Sequence, residues 1–177
     1  SSLNNISWQR LEKDGAVCYP VDDERSFGNE ILFSDGFPTS NGKAKIVPAD
    51  LMPPDEKPNK KYPFILTTGR LLEHWHTGAM TRRSSMLEAQ EPIPTVSMHP
   101  NDIRKLGLKR GENVLVETQR GIIEILLRED RDVSKGMLFI PFCFTESPAN
   151  KLTNPHLDPY GKIPEFKYAA ARVYKVN

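Results

Sequence analysis

Short apolar stretches separated by glycine-containing turns, between residues 62 and 176, constrain the fold of this chain most strongly. The clearest pair is 114–118 and 122–127, which residues 119–121 join into a predicted hairpin with a positive φ at Gly121. These stretches have the length and the β-branched content of strands rather than of helices. The remaining predicted strands are 64–66, 95–98, 135–140 and 169–176.

One helix is predicted in the middle of this region. Pro100 suits the first helical position, Asp102 favours the positive end of the helix dipole, and Gly107 ends the helix. Five or six short strands with a single helix predict a small β-barrel, because closure of the sheet removes its exposed edges.

The N-terminal third has a different composition and predicts an arm rather than a domain. Its apolar anchors are Trp8, Leu11 and residues 31–33, and a short alternating strand is predicted at 43–47. Residues 52–61 are rich in proline and charge, as linkers are. The sequence therefore predicts an N-terminal arm and linker over 1–61 and a barrel domain over 62–177.

Charge and cysteine content exclude several classes of function. The chain has 24 Lys and Arg against 23 Asp and Glu, and this balance gives no argument for a nucleic acid or an anionic membrane as partner. No apolar run approaches the ~18 residues of a membrane span, and no signal-peptide pattern opens the chain. Cys18 and Cys143 match no zinc or iron–sulfur spacing. The start without Met predicts a segment cut from a longer protein or the remnant of a tag.

Residues 67–83 concentrate the chemistry of the chain. Backbone at Gly69 and Gly78 can approach a ligand closely, and a cation at Arg70 suits a phosphorylated ligand that carries a ring. Two interpretations of Arg70 remain open: a phosphate clamp, or an internal ion pair with Glu73. A turn with a structurally paired arginine is the alternative for the whole stretch.

Two histidines, a cysteine and the segment 141–167 supply further candidate groups. His74 and His76 lie two residues apart, but no third ligand supports a metal site, so no metal ligand is predicted. Cys143 has only apolar neighbours and is predicted to be a small buried residue, and no catalytic residue is assigned. The long segment 141–167 offers an amide at Asn150, a cation at Lys167 and rings at Phe142 and Phe166.

Several blocks in order resemble one family. Residues 67–83, His99-Pro100-Asn101-Asp102, residues 149–153 and residues 163–167 resemble the molybdopterin dinucleotide-binding domain. This domain is the C-terminal part of the large subunit in formate dehydrogenases and periplasmic nitrate reductases. The arm also resembles the segment just upstream of the domain in formate dehydrogenases. The resemblance covers nearly all of 62–176.

The resemblance implies a six-stranded double-psi β-barrel, mainly β with short helices, that follows an irregular N-terminal arm. It implies that the barrel binds one guanine dinucleotide moiety of bis-(molybdopterin guanine dinucleotide), bis-MGD, which carries molybdenum or tungsten. The cofactor-binding residues that it implies are Thr67, Thr68, Gly69, Arg70, Leu71, Leu72, Glu73, His74, Trp75, His76, Phe142, Asn150, Phe166 and Lys167.

The resemblance further implies a domain of a formate dehydrogenase, which oxidises formate to carbon dioxide in a two-electron reaction. The chain lacks the cysteines of the iron–sulfur centre and the metal ligand of that family, so no turnover is expected from it alone. Implied partners are the remaining domains of the catalytic subunit, an iron–sulfur subunit and formate, without nucleic acid or a membrane span. The expected compartment is the cytoplasm, with the periplasm left open.

Three other interpretations remain open at this point. The first is a domain of a periplasmic-type nitrate reductase. The second is a separately encoded small subunit, similar to the barrel subunit of formylmethanofuran dehydrogenase. The third is a free-standing double-psi barrel that serves as a protein-interaction module. The third predicts that Arg70, His74, Asn150 and Lys167 are scattered, whereas a cofactor site predicts that they converge.

Overall fold

The structure is a computed structural model that describes residues 3–21, 23–24 and 26–176. The chain forms two units, residues 1–51 and 52–177. The boundary between arm and barrel at residues 61 and 62 stays a prediction.

The described residues of the N-terminal unit contain one short helix, α1 (Trp8–Asp14). The helix begins after Ser7, whose hydroxyl accepts a hydrogen bond from the backbone N–H of Arg10 at 3.2 Å. It ends at Gly15, which has a φ of 76° and donates its backbone N–H to the carbonyl of helix residue Leu11. Both ends are therefore set by local capping.

The apolar residues of this unit are mostly exposed. Trp8, a predicted anchor, is 81% exposed, and Val21 is the one buried hydrophobic residue among those described up to residue 51. The strand predicted at 43–47 is wrong. These residues are irregular, Ile46 is 91% exposed, and no neighbouring strand within the described part of the chain pairs with them. Alternation without a pairing partner does not make a strand.

The second unit is a closed barrel of six strands, in the order β1-β5-β2-β4-β3-β6. The pairs β1/β5 and β2/β4 are parallel and the other neighbours are antiparallel. The prediction of a mainly β protein with a six-stranded double-psi barrel is confirmed. The strands are β1 (Phe64–Gly69), β2 (Thr95–Met98), β3 (Asn113–Thr118), β4 (Ile122–Glu129), β5 (Met137–Pro141) and β6 (Ala169–Lys175).

The predicted hairpin is present as β3/β4, but the reason for its glycine is different. Gly121 is absent from the residues with positive φ, so that prediction is wrong. A Cβ at Gly121 would lie 3.0 Å from the carbonyl oxygen of Lys151. The glycine therefore allows close packing of the turn against the segment that carries Asn150.

The described part of this unit contains two further α-helices, whereas the sequence predicts one helix. The predicted helix is α3 (Pro100–Lys105), in which Asp102 Oδ2 accepts the backbone N–H of Gly136 at 2.7 Å. The helix missed is α2 (Ser85–Gln90), and none of its residues is buried. Without an inward-facing apolar stripe it has no helical periodicity to recognise.

The interior of the barrel is filled by alternate strand residues. In β4, Ile123, Ile125 and Leu127 are buried while their neighbours are more exposed, and Leu138 and Ile140 fill the same role in β5. Because β1 and β5 are parallel, their C-terminal ends lie side by side, with Gly69 opposite Pro141. The chain leaves both strands at this end of the barrel.

Glu117 on β3 is buried and forms an ion pair at 2.6 Å with Arg172 of β6, whose side chain is 39% exposed. Its carboxylate also accepts hydrogen bonds from the hydroxyls of Tyr174 at 2.7 Å and Tyr62 at 3.3 Å. The Tyr174 hydroxyl, followed by the Arg172 guanidinium, lowers the pKa of Glu117 below its ordinary 4.5.

The E117Q variant is expected to unfold at a lower temperature at pH 7 and to lose less stability on acidification. A depressed carboxyl pKa stabilises the fold above the unfolded value of 4.5. That stabilisation disappears as the pH falls through the folded value. Thermal unfolding between pH 7 and pH 3 measures both effects. The control is E129Q at an exposed strand end, and an equal pH profile in the two variants would contradict the expectation.

Candidate functional site

The adjacent C-terminal ends of β1 and β5 form one side of the site. The carbonyl oxygen of Gly69 accepts the backbone N–H of Phe142 at 3.2 Å, which continues the pairing past the end of β5. A Cβ at Gly69 would lie 2.4 Å from Cε2 of Phe139. Glycine is therefore needed here for space, because the Phe139 ring lies against the backbone.

Five predicted site residues line one cavity of about 180 Å³ next to these strand ends. Lys167 Nζ donates to the backbone carbonyl of Thr68 at 2.5 Å, and Thr68 Oγ1 donates to the carbonyl of Phe166 at 2.8 Å. These two bonds fasten the 166–167 turn to β1 across about 100 residues of sequence. The lining residues are Thr68, Phe142, Asn150, Phe166 and Lys167.

The cavity combines one cation, aromatic surface and an amide. Lys167 Nζ lies 5.8 Å from the centroid of the Phe142 ring, and none of the described residues that line the cavity is a carboxylate. Asn150 is exposed, and within the described part of the chain its side-chain amide makes no hydrogen bond. Phe166 is 49% exposed. Such a lining favours an anionic ligand that also carries a planar, hydrogen-bonding ring.

A short 3₁₀ helix, Ala149–Lys151, positions Asn150. Ala149 and Leu152 on either side are buried in the barrel core, so Asn150 is held between two apolar anchors and directed outward. Thr153 Oγ1 donates to the backbone carbonyl of Asn150 at 3.1 Å. The amide is thus presented on a rigid turn rather than on a free loop.

Arg70, directly after β1, belongs to a second, exposed cluster with Trp75 and His76. Its Nη2 lies 3.0 Å from Nε2 of His76, and its guanidinium carbon lies 5.3 Å from the Trp75 ring centroid. Among the described residues no carboxylate pairs with Arg70, so the alternative of an ion pair with Glu73 is wrong. His76 has a φ of 51°, an uncommon conformation outside glycine. The cluster is an unneutralised cation on an aromatic surface.

His74 lies apart from the other predicted residues. It is fully buried, with its ring 5.7 Å edge-on from Phe144 and its Nε2 2.8 Å from the carbonyl oxygen of Glu91. Because a carbonyl only accepts, Nε2 is the protonated ring nitrogen. In this structure the side chain of His74 therefore packs the loop and does not line the cavity.

The H74A variant is expected to lose roughly 2–4 kcal/mol of unfolding free energy, because a fully buried ring and its hydrogen bond are removed. Chemical denaturation measures this loss. Ligand affinity of the folded protein is expected to stay within about twofold of wild type, since the His74 side chain does not line the cavity. A wild-type stability combined with a large loss of affinity would contradict the packing role.

The other predicted residues lie in β1 or in the loop that follows it. Thr67 belongs to β1 and is half-buried. In the loop, Leu71 and Glu73 are half-buried, whereas Leu72 is 97% exposed. Cys143 is buried as predicted, and burial raises the pKa of its thiol. Among the residues described, no group of three His, Cys, Asp or Glu side chains could hold a metal ion, and no helix is long and apolar enough to cross a membrane.

Sequence reasoning missed Glu56, which accepts hydrogen bonds from Arg120 and from the backbone N–H of Ala170. Nothing in the proline-rich segment around it distinguishes this carboxylate from its charged neighbours. It also missed Phe139, whose ring explains Gly69. Both depend on contacts between residues far apart in sequence.

Topology and cavity together define a double-psi β-barrel domain with a cavity at the ends of two parallel strands, lined by a cation and two aromatic rings. The family model described as "Molydopterin dinucleotide binding domain" matches residues 64–170. The chain belongs to this family of molybdopterin dinucleotide-binding domains.

Relatives of known name agree with this assignment. The chain is 42% identical over 171 residues to the F420-dependent formate dehydrogenase subunit alpha of Methanocaldococcus jannaschii, and 39% identical to the F420-dependent formate dehydrogenase 1 subunit alpha of Methanococcus maripaludis. Each alignment covers 97% of this chain and 25% of the relative, so the chain spans about a quarter of those proteins. Acetylene hydratase from Pelobacter acetylenicus is a similar solved structure, with a TM-score of 0.60 and 25% identity over 65% of this chain and 18% of that one.

Proposed function

We propose that this chain binds one guanine dinucleotide moiety of bis-MGD and belongs to an enzyme that oxidises formate to carbon dioxide. The observation that carries the proposal is the convergence of Lys167 and Asn150 on one cavity with Thr68, Phe142 and Phe166. The family supports a molybdopterin cofactor, and the names of the relatives support formate as substrate.

Each group has a role in the proposal. Lys167 and the unneutralised Arg70 offset the charge of the pyrophosphate, and Asn150 pairs with the edge of a heterocycle. Phe142 and Phe166 supply flat apolar walls for a ring. The exposed rings of Trp75 and His76 extend this surface beside Arg70. The cavity of about 180 Å³ is below the roughly 300–1,000 Å³ of complete ligand pockets, which supports a site that other domains complete.

When bound, the molybdenum or tungsten cofactor supplies the two-electron chemistry, and this chain supplies binding and orientation. The proposal assigns the metal ligand and the iron–sulfur cysteines to other parts of the enzyme, because Cys143 is buried with a raised thiol pKa. The proposed partners are the remaining domains of the catalytic subunit and an iron–sulfur subunit. The proposed compartment is the cytoplasm.

Titration of the 177-residue chain with GDP, followed by NMR, tests the proposal. GDP carries the guanine and the pyrophosphate of the cofactor, so it is expected to shift the signals of Thr68, Asn150 and Lys167. ADP is expected to bind more weakly, because its ring edge presents a different hydrogen-bonding pattern. Guanosine without phosphate is the control for the charged contacts. Absence of any shift at millimolar GDP, or shifts confined to residues outside the cavity, would contradict the proposed site.

A further inference from the structure

A segment of irregular chain before β1 connects two walls of the cavity. This strap, residues 52–58, belongs to the same unit as the barrel and carries two consecutive carboxylates, Asp55 and Glu56. Its composition predicts a solvated linker. In the structure, however, the Glu56 side chain is only 11% exposed, so it is held against the barrel.

Glu56 joins the turn of the β3/β4 hairpin to β6. Both of its carboxylate oxygens accept hydrogen bonds from the guanidinium of Arg120, with Nη2 at 3.1 Å from Oε1. Oε1 also accepts the backbone N–H of Ala170 at 2.6 Å. The pairing of β3 with β6 ends where Thr118 lies opposite Ala171. The carboxylate therefore binds the backbone N–H of Ala170, the residue of β6 just beyond the end of this pairing. That N–H lies three residues after Lys167.

Arg120 extends the connection to the other wall. Its Nη2 donates to the backbone carbonyl of Leu152 at 3.3 Å, two residues after Asn150. The neighbouring Gly121 lies so close to Lys151 that a Cβ would be 3.0 Å from the Lys151 carbonyl oxygen. The Asn150 turn is therefore held from the hairpin by packing and by a charged donor that Glu56 orients.

Asp55, next to Glu56, also contacts the chain segment that follows Asn150 and the residues just before Lys167. Its Oδ2 lies 2.7 Å from Nε2 of His156, and its backbone N–H donates to Oε1 of Glu165 at 3.4 Å. Glu165 in turn accepts from Asn154 Nδ2 at 2.8 Å and directly precedes Phe166 and Lys167. Contacts from two adjacent strap residues thus flank the 166–167 turn, at Glu165 and at Ala170.

We propose that Glu56 is a positioning residue for the cavity: through Arg120 and the Ala170 amide it sets the separation between Asn150 and Lys167. This inference rests on the proposed function, since Glu56 would position Asn150 and Lys167, the proposed ligands of the heterocycle edge and of the pyrophosphate. A carboxylate with two charge-assisted partners is stronger and more directional than a neutral contact, which suits the fixing of two walls. A preorganised pair of ligand groups binds more tightly because less ordering is needed on binding.

The test compares E56Q, E56A and the control E91Q in the 177-residue chain. Glu91 makes a similar bidentate ion pair with Arg128, at 3.0 and 2.7 Å, but neither residue lines the cavity. Hydrogen exchange without ligand reports on the amides of 150–154 and 165–171. GDP affinity is measured at a temperature at which every variant is folded, so that a general loss of stability does not enter. If E56A does not fold, E56Q alone is compared with wild type and E91Q.

Both Glu56 variants are expected to exchange at least about tenfold faster than wild type in the two segments, and to bind GDP about tenfold more weakly. E91Q is expected to match wild type in both measurements. The proposal is overturned if exchange in either segment follows E91Q, or if exchange rises without any loss of GDP affinity. If wild type itself binds no GDP, the proposed function fails, while accelerated exchange in both segments still establishes the coupling by Glu56.

Discussion

The K167M variant is expected to bind GDP about 30-fold more weakly than wild type, since a hydrogen-bonded cation opposite a phosphate contributes more than a neutral contact. Among the residues that the structure describes, Lys167 is the one charged residue lining the cavity, and its ammonium retains two further donors after its bond to Thr68 O. Methionine keeps most of the aliphatic stem and removes only the charge. Calorimetric titration with GDP measures the change.

Lys162 supplies a matched control for this variant. It lies in the same segment and also donates to a backbone carbonyl, that of Pro159 at 3.0 Å, but it does not line the cavity. K162M is expected to bind GDP as wild type does, and K167R to retain much of the affinity. Raising the salt concentration should narrow the difference between wild type and K167M, because screening weakens an exposed charge. Equal affinity of K167M and K162M would contradict a ligand-binding role for Lys167.

The R82M variant is expected to lose about 2–3 kcal/mol of unfolding free energy. Arg82 binds Glu88 through Nε at 3.2 Å and Nη2 at 2.9 Å, and binds Glu146 through Nη1 at 2.9 Å and Nη2 at 2.7 Å. Its guanidinium carbon lies 4.8 Å from the Phe144 ring centroid, and its stem fills the space that a side chain at Gly78 would need. Arg82 therefore ties the loop after β1 to the segment after β5.

The size of this loss follows from the exposure of the partners. The Glu146 side chain is 54% exposed, so solvent screens its attraction and the cost stays below that of a fully buried pair. The Arg82 guanidinium still lowers the pKa of Glu146 to about 2, and the Glu146 hydrogen bond raises the pKa of Arg82. The stabilisation of the fold by the Arg82–Glu146 pair is complete above pH 4.5, the ordinary pKa of a glutamate. It is lost as the pH falls towards 2, the lowered pKa of Glu146.

Urea denaturation at pH 7 measures the effect of R82M. The control is R83M, at an exposed neighbour for which a change within about 0.5 kcal/mol is expected. A further comparison at pH 3 should show a smaller difference between R82M and wild type than at pH 7, since protonation of Glu146 begins to remove the same interaction. A loss no larger than that of R83M would show that the arginine does not tie the two segments together.

The barrel strands could be predicted from the sequence because each is a short apolar stretch, often rich in β-branched residues, between turns. The run from Ile122 to Leu127 is almost wholly apolar, and only the structure shows that Ile123, Ile125 and Leu127 face the core. The segment 43–47 has an alternating pattern without a partner, and it is irregular in the structure. Helix α2 is the opposite case, since it buries no residue and leaves no signal.

Only part of the candidate site could be predicted from the sequence. Residue types and the family resemblance selected Asn150, Lys167 and the aromatic residues near them, and the cavity contains these groups. Arg70 and His74 were selected for the same reasons but have opposite environments, one exposed and one fully buried. Arg70 and His74 lie four positions apart on an irregular loop, where side chains follow no fixed periodicity. The sequence therefore could not assign either residue to the surface or to the interior.

From its sequence alone this protein has a set of short strands, a glycine-rich turn after the first of them, and the chemical groups suited to a phosphorylated, ring-bearing cofactor. Only the tertiary structure decides that Lys167 reaches Thr68, that Asn150 faces the same cavity, and that Glu56 of an apparent linker connects the two. The physical reason is that local residue patterns determine strands and turns. Contacts across about 100 residues of sequence depend instead on the parallel pairing that closes the barrel.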